Sequence, residues 1–354
     1  MPSHSPIVSA AAGDEHSLWL CEDGNVYACG RGTNGQLALD ISDTGPGSTG
    51  AAAPTLIKAM HQFKVLQMGA GLAHSLLLTE AGEPFAFGSN KSGQLGRRVP
   101  GDGLNFELAD PSQCFVPLRV AGLGGTRIVQ VAAGAEHSVL LSDIGRVLTF
   151  GCGRFGRLGL GDESNQPLPR QVDGLRERAI GVFAGGEHTH ALTPSGLWSW
   201  GNGQCGRLGT GSSSDALTPV CVEGLAGASI AHVSAGLAHT LVALGDGRVC
   251  AFGWGAFGQL GLGSTDDVSV PTILPTLRSV RVVAVAAGAQ HSLIMDASGC
   301  VYACGKGTRG RLGLGEEEGR VCVPTPVGGV ALPPARRGDT RKHKVEESPW
   351  SLEF

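Results

Sequence analysis

The sequence has few charged residues and no excess of positive charge. Charged side chains make up 16% of the 354 residues, and 27 lysines and arginines against 31 acidic residues give a formal net charge of −4. A balance of this kind provides no general attraction to nucleic acid or to an anionic membrane surface. We therefore expect no direct nucleic-acid partner and no membrane partner.

Long apolar runs and a leader sequence are also missing. Residues 1–12 contain neither a basic n-region nor an apolar h-region, so no secretory signal is predicted and a cytoplasmic or nuclear protein is expected. The most apolar stretch, residues 226–244, is interrupted by His232 and His239 and has counterparts elsewhere in the chain. It is predicted to form two adjacent buried strands and not a membrane span.

Metal-binding and catalytic motifs are absent as well. Ten cysteines are spread along the chain, but no two are spaced as Cys-x-x-Cys, and zinc sites need ligands paired at close spacing. Most of the cysteines lie in apolar, strand-like runs, which is typical of reduced thiols packed in a core. No nucleophile elbow and no paired carboxylates stand out. No metal, cofactor or catalytic residue is therefore predicted.

Glycine, by contrast, is abundant. The chain has 57 glycines and 19 prolines, and a glycine inside a helix costs about 1 kcal/mol, so long helices are excluded. Hydrophobic residues still make up 42% of the chain, which is enough apolar surface for a core. Together these features predict a globular fold of many short strands and tight turns.

Two short motifs recur six times along the chain. The first ends in a histidine, as in Val131-Ala-Ala-Gly-Ala-Glu-His-Ser138, and the second is the glycine-rich Gly151-Cys-Gly-Arg-Phe-Gly-Arg-Leu-Gly159. Because equivalent positions spread around a repeated structure, we expect the histidines to bond neighbouring backbone groups and hold the turn, and not to bind a metal. The six repeat-turn histidines are His16, His74, His137, His188, His239 and His291.

Each repeat contains four short strand candidates. In the third repeat they are Ile128–Ala133, His137–Ser142, Arg146–Gly151 and Pro169–Val172. A four-stranded repeat of about 50 residues is typical of a propeller blade, and blades stack in a ring because one blade alone cannot bury both of its faces. The predicted fold class is therefore all-β, a single β-propeller of four-stranded blades over residues 1–330.

The second motif contains the pattern Gly-x-Gly-x-x-Gly, which also occurs in dinucleotide-binding sites. Such a site needs a helix N-terminus against the pyrophosphate, whereas the residues that follow here, Arg157-Leu-Gly-Leu-Gly161, cannot start a stable helix. The glycines are better explained by positive φ angles and close backbone approach in a loop repeated around the ring.

The two motifs together resemble the repeat of the regulator of chromosome condensation family. The resemblance covers roughly residues 7–330 and implies a β-propeller, usually of seven blades. Six repeats are present here, from near Ile7 to near Val327, so six blades are favoured over seven. Closure of the ring would bring repeat 6 beside repeat 1, with one terminus supplying a strand to a shared blade.

Two insertions and a C-terminal tail depart from the repeat. The insertions, residues 40–53 and 97–113, both follow the second motif and should project from corresponding edges of their blades, where binding residues concentrate. The tail, residues 331–354, carries basic and acidic residues that nearly cancel and is predicted to be disordered. The candidate partner-binding residues are Asp102, Phe106, Glu107 and Asp110.

Two functions stay open at this point. One is a non-catalytic protein-interaction scaffold, and the other, implied by the resemblance, is a guanine-nucleotide exchange factor for a Ran-like small GTPase. Exchange needs no nucleophile, since a factor that binds the nucleotide-free GTPase more tightly ejects the nucleotide by linkage. The family also includes a plant ultraviolet-B photoreceptor with tryptophans in the first motif, which this chain lacks, so photoreception is not expected. The expected partner is a protein, and the chain is expected to be a monomer.

Overall fold

The computed structural model describes residues 5–39, 49–97, 114–315, 319–331 and 352–353, which form short strands, turns and single-turn 3-10 helices. The strands of blades 1 to 3 are β1 (Ile7–Ala12), β2 (His16–Cys21), β3 (Val26–Arg31), β4 (Gly50–Leu56), β5 (Val65–Ala70), β6 (His74–Thr79), β7 (Pro84–Gly88), β8 (Leu118–Arg119), β9 (Ile128–Ala133), β10 (His137–Ser142), β11 (Val147–Gly151) and β12 (Gln166–Gln171).

Blades 4 to 6 follow the same order. Their strands are β13 (Gly181–Ala184), β14 (His188–Thr193), β15 (Gly196–Gly201), β16 (Ala216–Cys221), β17 (Ile230–Ala235), β18 (His239–Leu244), β19 (Val249–Gly253), β20 (Val268–Ile273), β21 (Val282–Ala287), β22 (His291–Asp296), β23 (Cys300–Lys306) and β24 (Arg320–Ala331), with β25 (Leu352–Glu353) after them. The 3-10 helices are Lys58–Met60, Arg154–Gly156, Gln204–Gly206, Glu223–Leu225, Pro275–Leu277 and Thr308–Gly310.

Each blade is an antiparallel sheet whose four strands pair in chain order. The first strands of blades 1 to 6 contact one another in succession, which places them innermost, and the fourth strands lie outermost. The six-blade propeller predicted from the repeats is therefore confirmed. Residues 226–244 contain two neighbouring strands, β17 and β18, as expected. Within the described residues, no helix has the length and apolar character needed to cross a membrane.

The hydrophobic core is divided among the junctions between successive blades. Five clusters of buried apolar side chains are present, one at each junction from blade 1–blade 2 to blade 5–blade 6. In the first, Leu18 and Leu20 of blade 1 pack with Leu77 of blade 2. In the last, Leu241 of blade 5 packs with Ile294 of blade 6. Among the described residues no such cluster joins blade 6 to blade 1.

The closure of the ring agrees with the expectation that one terminus supplies a strand to a shared blade, although that strand is an added fifth one. All four antiparallel strands of every blade come from a single repeat, and the C-terminal β25 adds a fifth strand to blade 1. It pairs parallel to β1, with Ala10 opposite Leu352 and Ala11 opposite Glu353. The boundary at residue 330 and the disorder of the tail stay predictions, since residues 332–351 lie outside the described part of the chain. All ten cysteines are described and none forms a disulfide.

Candidate protein-binding face

One end of the ring, which we call the loop face, carries both repeated motifs. It consists of the turns of the first motif and the glycine-rich loops of the second. A backbone hydrogen bond holds the two together in each blade: the amide of Arg31 donates to the carbonyl of Glu15 at 2.7 Å, and that of Cys152 to the carbonyl of Glu136 at 2.9 Å. The loop face is therefore a repeated and rigidly connected surface.

The histidines of the first motif reach across to the next blade. In blades 1 to 5, Nε2 of the histidine contacts the hydroxyl group of the Ser or Thr that follows the first-motif histidine of the next blade. This hydroxyl donates a hydrogen bond to a carbonyl of the glycine-rich loop, as Ser75 does to Gln36 at 2.8 Å. Because its proton is used in this way, the hydroxyl accepts a hydrogen bond from the Nε2–H group of the histidine. Five pairs lie 2.9–3.3 Å apart: His16–Ser75, His74–Ser138, His137–Thr189, His188–Thr240 and His239–Ser292.

These bonds differ from the backbone bonds expected from the sequence. The imidazole ring lies close to the glycine of its own turn, with Cε1 and Nδ1 nearest to it, while Nε2 contacts the neighbouring blade. A Cβ atom built on Gly134 would lie only 2.0 Å from Cε1 of His137, and the equivalent distance is at most 2.7 Å in the other five repeats. The imidazole ring therefore leaves no room for a side chain at the glycine of the first motif. In the second motif the backbone itself requires glycine, as at Gly151 with a φ of 105°.

Burial keeps these rings neutral at physiological pH. It lowers the pKa of His16 to about 4 and the pKa values of His74 and His239 to about 3. A neutral ring with Nε2 committed to a hydroxyl fits a bonding role between blades. In the part of the chain that the structure describes, no three His, Cys, Asp or Glu side chains are grouped to hold a metal ion.

A partly buried ion-pair network stabilises the loop face around blade 4. Glu187, in the first-motif turn, lies 3.1 Å from Nη2 of Arg157 and 3.6 Å from Nη1 of Arg207. It also accepts a hydrogen bond of 2.9 Å from the side-chain amide of Asn202. The side chain of Arg157 is only 2% exposed, and this carboxylate lies within ion-pair distance as its counter-charge. Blades 3 and 4 are thereby joined by charge as well as by packing.

The four candidate residues predicted in the second insertion, Asp102, Phe106, Glu107 and Asp110, lie outside the described residues. The anchors of that insertion are described. At its start, the buried guanidinium of Arg97 donates to the carbonyl of Ala86. At its end, Cys114 lies against Gly35 of blade 1, where an added Cβ would be 2.3 Å from the Cys114 carbonyl oxygen. Cys114, the first described residue after the insertion, therefore lies against the loop face.

Two exposed apolar side chains at this end of the insertion were missed from the sequence. Phe115 is 43% exposed and Val116 is 45% exposed. On the adjacent blade, Thr49 is the first described residue of the first insertion, and its carbonyl accepts a 2.7 Å hydrogen bond from the amide of Gly32 in the second-motif loop. Residues 50–53, predicted as part of that insertion, form the start of strand β4 instead. A Phe-Val pair directly after an acidic insertion is the sequence signal that could have identified this patch.

Comparison with known proteins defines the family. The profile of the RCC1-like domain matches residues 1–343, and the chain belongs to this family. Similar proteins include the ultraviolet-B receptor UVR8 of Arabidopsis thaliana, 35% identical over 89% of this chain and 68% of the receptor. The regulator of chromosome condensation of Xenopus laevis is 31% identical over 88% of this chain and 74% of that protein. The human E3 ubiquitin-protein ligase HERC2 is 34% identical, but the match spans only 6% of its length.

Solved structures agree with this assignment. Human WBSCR16 superimposes with a TM-score of 0.79 at 27% identity, over 92% of this chain and 83% of that one. Prp20p from Saccharomyces cerevisiae, whose structure was described together with its binding to Gsp1p and histones, gives a TM-score of 0.75 at 27% identity, over 91% of this chain and 76% of that one. The resemblance drawn from the two motifs is confirmed.

Proposed function

We propose that the protein is a non-catalytic interaction scaffold and that its loop face binds a protein partner. The observation that carries this proposal is the position of Thr49 and Cys114, which adjoin the two long insertions and both contact the glycine-rich loop of blade 1, beside the exposed Phe115 and Val116. Loops on a rigid frame are where binding residues concentrate. Exposed aromatic and aliphatic side chains beside such loops are suited to anchor a partner.

Further apolar groups on the loop face support the same use. Leu72 and Leu237 occupy the first-motif turns of blades 2 and 5, and both are exposed. The five inter-blade clusters and the histidine bonds hold these turns in fixed positions. A partner would therefore bind a preformed surface, which limits the entropy lost on association.

Affinity capture with paired variants tests this proposal. The double variant Phe115→Ser, Val116→Ser should lose the captured partner and keep the thermal midpoint of the wild type. Its matched control is Ile144→Ser, which removes a side chain of similar exposure, 44%, from the β10–β11 turn at the opposite end of the ring. Equal capture by the wild type and the double variant would remove this patch from the binding surface.

A second candidate function is guanine-nucleotide exchange on a Ran-like small GTPase. It is favoured by the acidic and aromatic residues of the second insertion, Asp102, Phe106, Glu107 and Asp110, and by the similarity to the regulator of chromosome condensation and Prp20p. An acidic wedge that competes with the nucleotide phosphates would weaken nucleotide binding without any covalent chemistry.

A nucleotide-release assay separates the two candidates. Small GTPases loaded with a fluorescent guanine nucleotide are mixed with the protein, and the loss of fluorescence is followed. Exchange activity predicts faster release with at least one GTPase, lost when Asp102, Glu107 and Asp110 are all changed to Lys and kept in the control Glu22→Lys on the opposite face. If nucleotide release is unchanged for every GTPase tested and a partner is captured, exchange activity is ruled out and only the scaffold function is supported.

A further inference from the structure

The junction between blade 6 and blade 1 is built differently from the other five. We call it the sixth junction. On the blade 6 side, Leu293 and Val301 are only half-buried, whereas the residues in the same positions of blade 5, Leu241 and Val249, are fully buried. On the blade 1 side, Trp19 is also half-buried, although its counterparts in the other five blades are buried. Apolar side chains therefore line this junction without the packing found elsewhere.

The backbone contacts at the sixth junction are different as well. The glycine-rich loop of blade 5 packs closely on blade 6, since an added Cβ on Gly258 would lie 2.7 Å from Cα of Cys322. A Cβ added to the equivalent glycine of blade 6, Gly310, would meet no atom within 4 Å. The residue of blade 1 that corresponds to Cys322 is Ala52, which is exposed and lines an open groove. The glycine-rich loop of blade 6 thus does not make the contact with the fourth strand of blade 1 that the loop of blade 5 makes with blade 6.

One element of the chain touches both blades at this place. Strand β25, Leu352–Glu353, pairs with β1 of blade 1 and also contacts β21, the first strand of blade 6. The connection from Ala331 to Leu352 has 20 residues between them, which span on the order of 65 Å when extended and so allow this return.

The sequence at the C-terminus suits an extended segment with one apolar face. Residues 350–354 read Trp-Ser-Leu-Glu-Phe, in which apolar and polar residues alternate strictly. In a strand, alternate side chains lie on the same side, so Trp350, Leu352 and Phe354 would share one face. Aromatic residues are only 5% of this chain, and two of them lie in these five positions.

We propose that the sixth junction is a binding site for the C-terminal segment of the chain itself, residues 349–354. The segment binds as a strand along Ile7–Ala12 and its apolar face packs between blades 6 and 1, in place of the inter-blade cluster found at the other junctions. The ring is then closed by a peptide latch and not by a seventh blade. This proposal does not depend on the partner that binds the loop face.

The test uses a peptide and two forms of the protein. A chain ending at Lys344 should exchange amide hydrogens about tenfold faster than the full chain in Ile7–Ala12 and Val282–Ala287, with Ile128–Ala133 unchanged as the internal reference. A peptide of residues 347–354 added to the shortened chain should bind with 1:1 stoichiometry and restore the slow exchange. It should bind the full chain at least about tenfold more weakly, because the site is occupied there.

The control peptide carries Trp350→Ser, Leu352→Ser and Phe354→Ser and should not bind. Equal binding of both peptides, or unchanged exchange in Ile7–Ala12 after shortening, would overturn the proposal. If the shortened chain does not fold, the same three substitutions in the full chain provide the test through exchange at Ile7–Ala12. Protection by an added partner protein but not by the peptide would assign the site to another molecule and would equally overturn the latch.

Discussion

The Nε2 atom of His239 lies 2.9 Å from the hydroxyl oxygen of Ser292, and bonds of this kind join the successive blades from blade 1 to blade 6. The bonded hydroxyl residues of blades 2 to 6 are all fully buried. The equivalent residue of blade 1, Ser17, is half-buried. One repeated motif thus forms five similar junctions and leaves the sixth to be closed in another way.

The bond between His74 and Ser138 gives a direct test of this role. Ser138→Ala removes the acceptor for His74 and the donor to the carbonyl of Gln94, so two buried polar groups lose their partners. We expect a loss of about 1–3 kcal/mol in the free energy of unfolding, measured by urea denaturation. The matched control Ser17→Ala should change it by less than about 0.5 kcal/mol. Equal losses at both positions would contradict the assignment.

The first-motif glycine is expected to be intolerant of any side chain. Gly134→Ala places a methyl group against the ring of His137 and should destabilise the protein by about 3 kcal/mol. Gly328→Ala in β24 meets no atom within 4 Å and should have an effect below about 0.5 kcal/mol. Thermal midpoints of the two variants measure the difference, and a Gly134 variant as stable as the wild type would refute the close approach.

Acid should destabilise the protein before its carboxylates titrate. The unfolded chain takes up protons on histidine below about pH 6.5, whereas burial lowers the pKa of His16 to about 4 and the pKa values of His74, His190 and His239 to about 3. Stability is therefore full above pH 6.5 and falls as the pH decreases toward 4. Between pH 7.5 and 5.5 each of these histidines should lower the free energy of unfolding by about 1 kcal/mol. The change is measured from urea denaturation curves at the two pH values.

His190 allows this pH dependence to be assigned to one side chain. It lies buried between blades 4 and 5, with Nδ1 2.7 Å from the hydroxyl of Ser199 and Nε2 2.9 Å from that of Thr240. The other blades have Leu or Val in its position and, apart from Thr149, Ala in place of Ser199. The double variant His190→Leu, Ser199→Ala should fold. Between pH 7.5 and 5.5 its free energy of unfolding should fall by about 1 kcal/mol less than that of the wild type. An unchanged acid response would mean that His190 is not one of the groups responsible.

The ion pairs of two first-motif glutamates, Glu187 and Glu15, should contribute differently to stability. Glu187→Gln leaves the buried guanidinium of Arg157 without a counter-charge and should cost about 2 kcal/mol in unfolding free energy. Glu15→Gln breaks an exposed pair with Arg31 and should cost less than about 0.5 kcal/mol. Denaturation in low and high salt provides a second readout, since only the exposed pair is expected to be screened.

Most of the fold could be predicted because the repeat is local and periodic. The strands Ile128–Ala133 and His137–Ser142 were predicted with the bounds observed. The fourth strand of that blade, Gln166–Gln171, was placed too late, at Pro169–Val172. It begins at a bulge opposite Gly151 and contains two prolines, so its sequence has neither alternation nor strand propensity to mark its start.

The junction contacts could not be predicted in the same way. All six repeats carry the same histidine and glycines, yet the burial of Trp19 and Leu293 depends on how the two ends of the ring meet, which is a long-range property. The partners of the histidines were missed for the same reason, because His16 and Ser75 are 59 residues apart. The binding role of Asp102, Phe106, Glu107 and Asp110, the monomeric state and the cellular location stay predictions.

Site-specific crosslinking tests the proposed binding face most directly. A photoreactive amino acid is placed at Val116, two residues after the Cys114 contact with the loop face, or at Ile144 at the opposite end of the ring, two positions with nearly equal exposure. After irradiation with a captured partner, we expect a covalent adduct from position 116 and none from position 144. Adducts from position 144 alone, or in equal yield from both, would contradict the assignment of the loop face as the protein-binding surface.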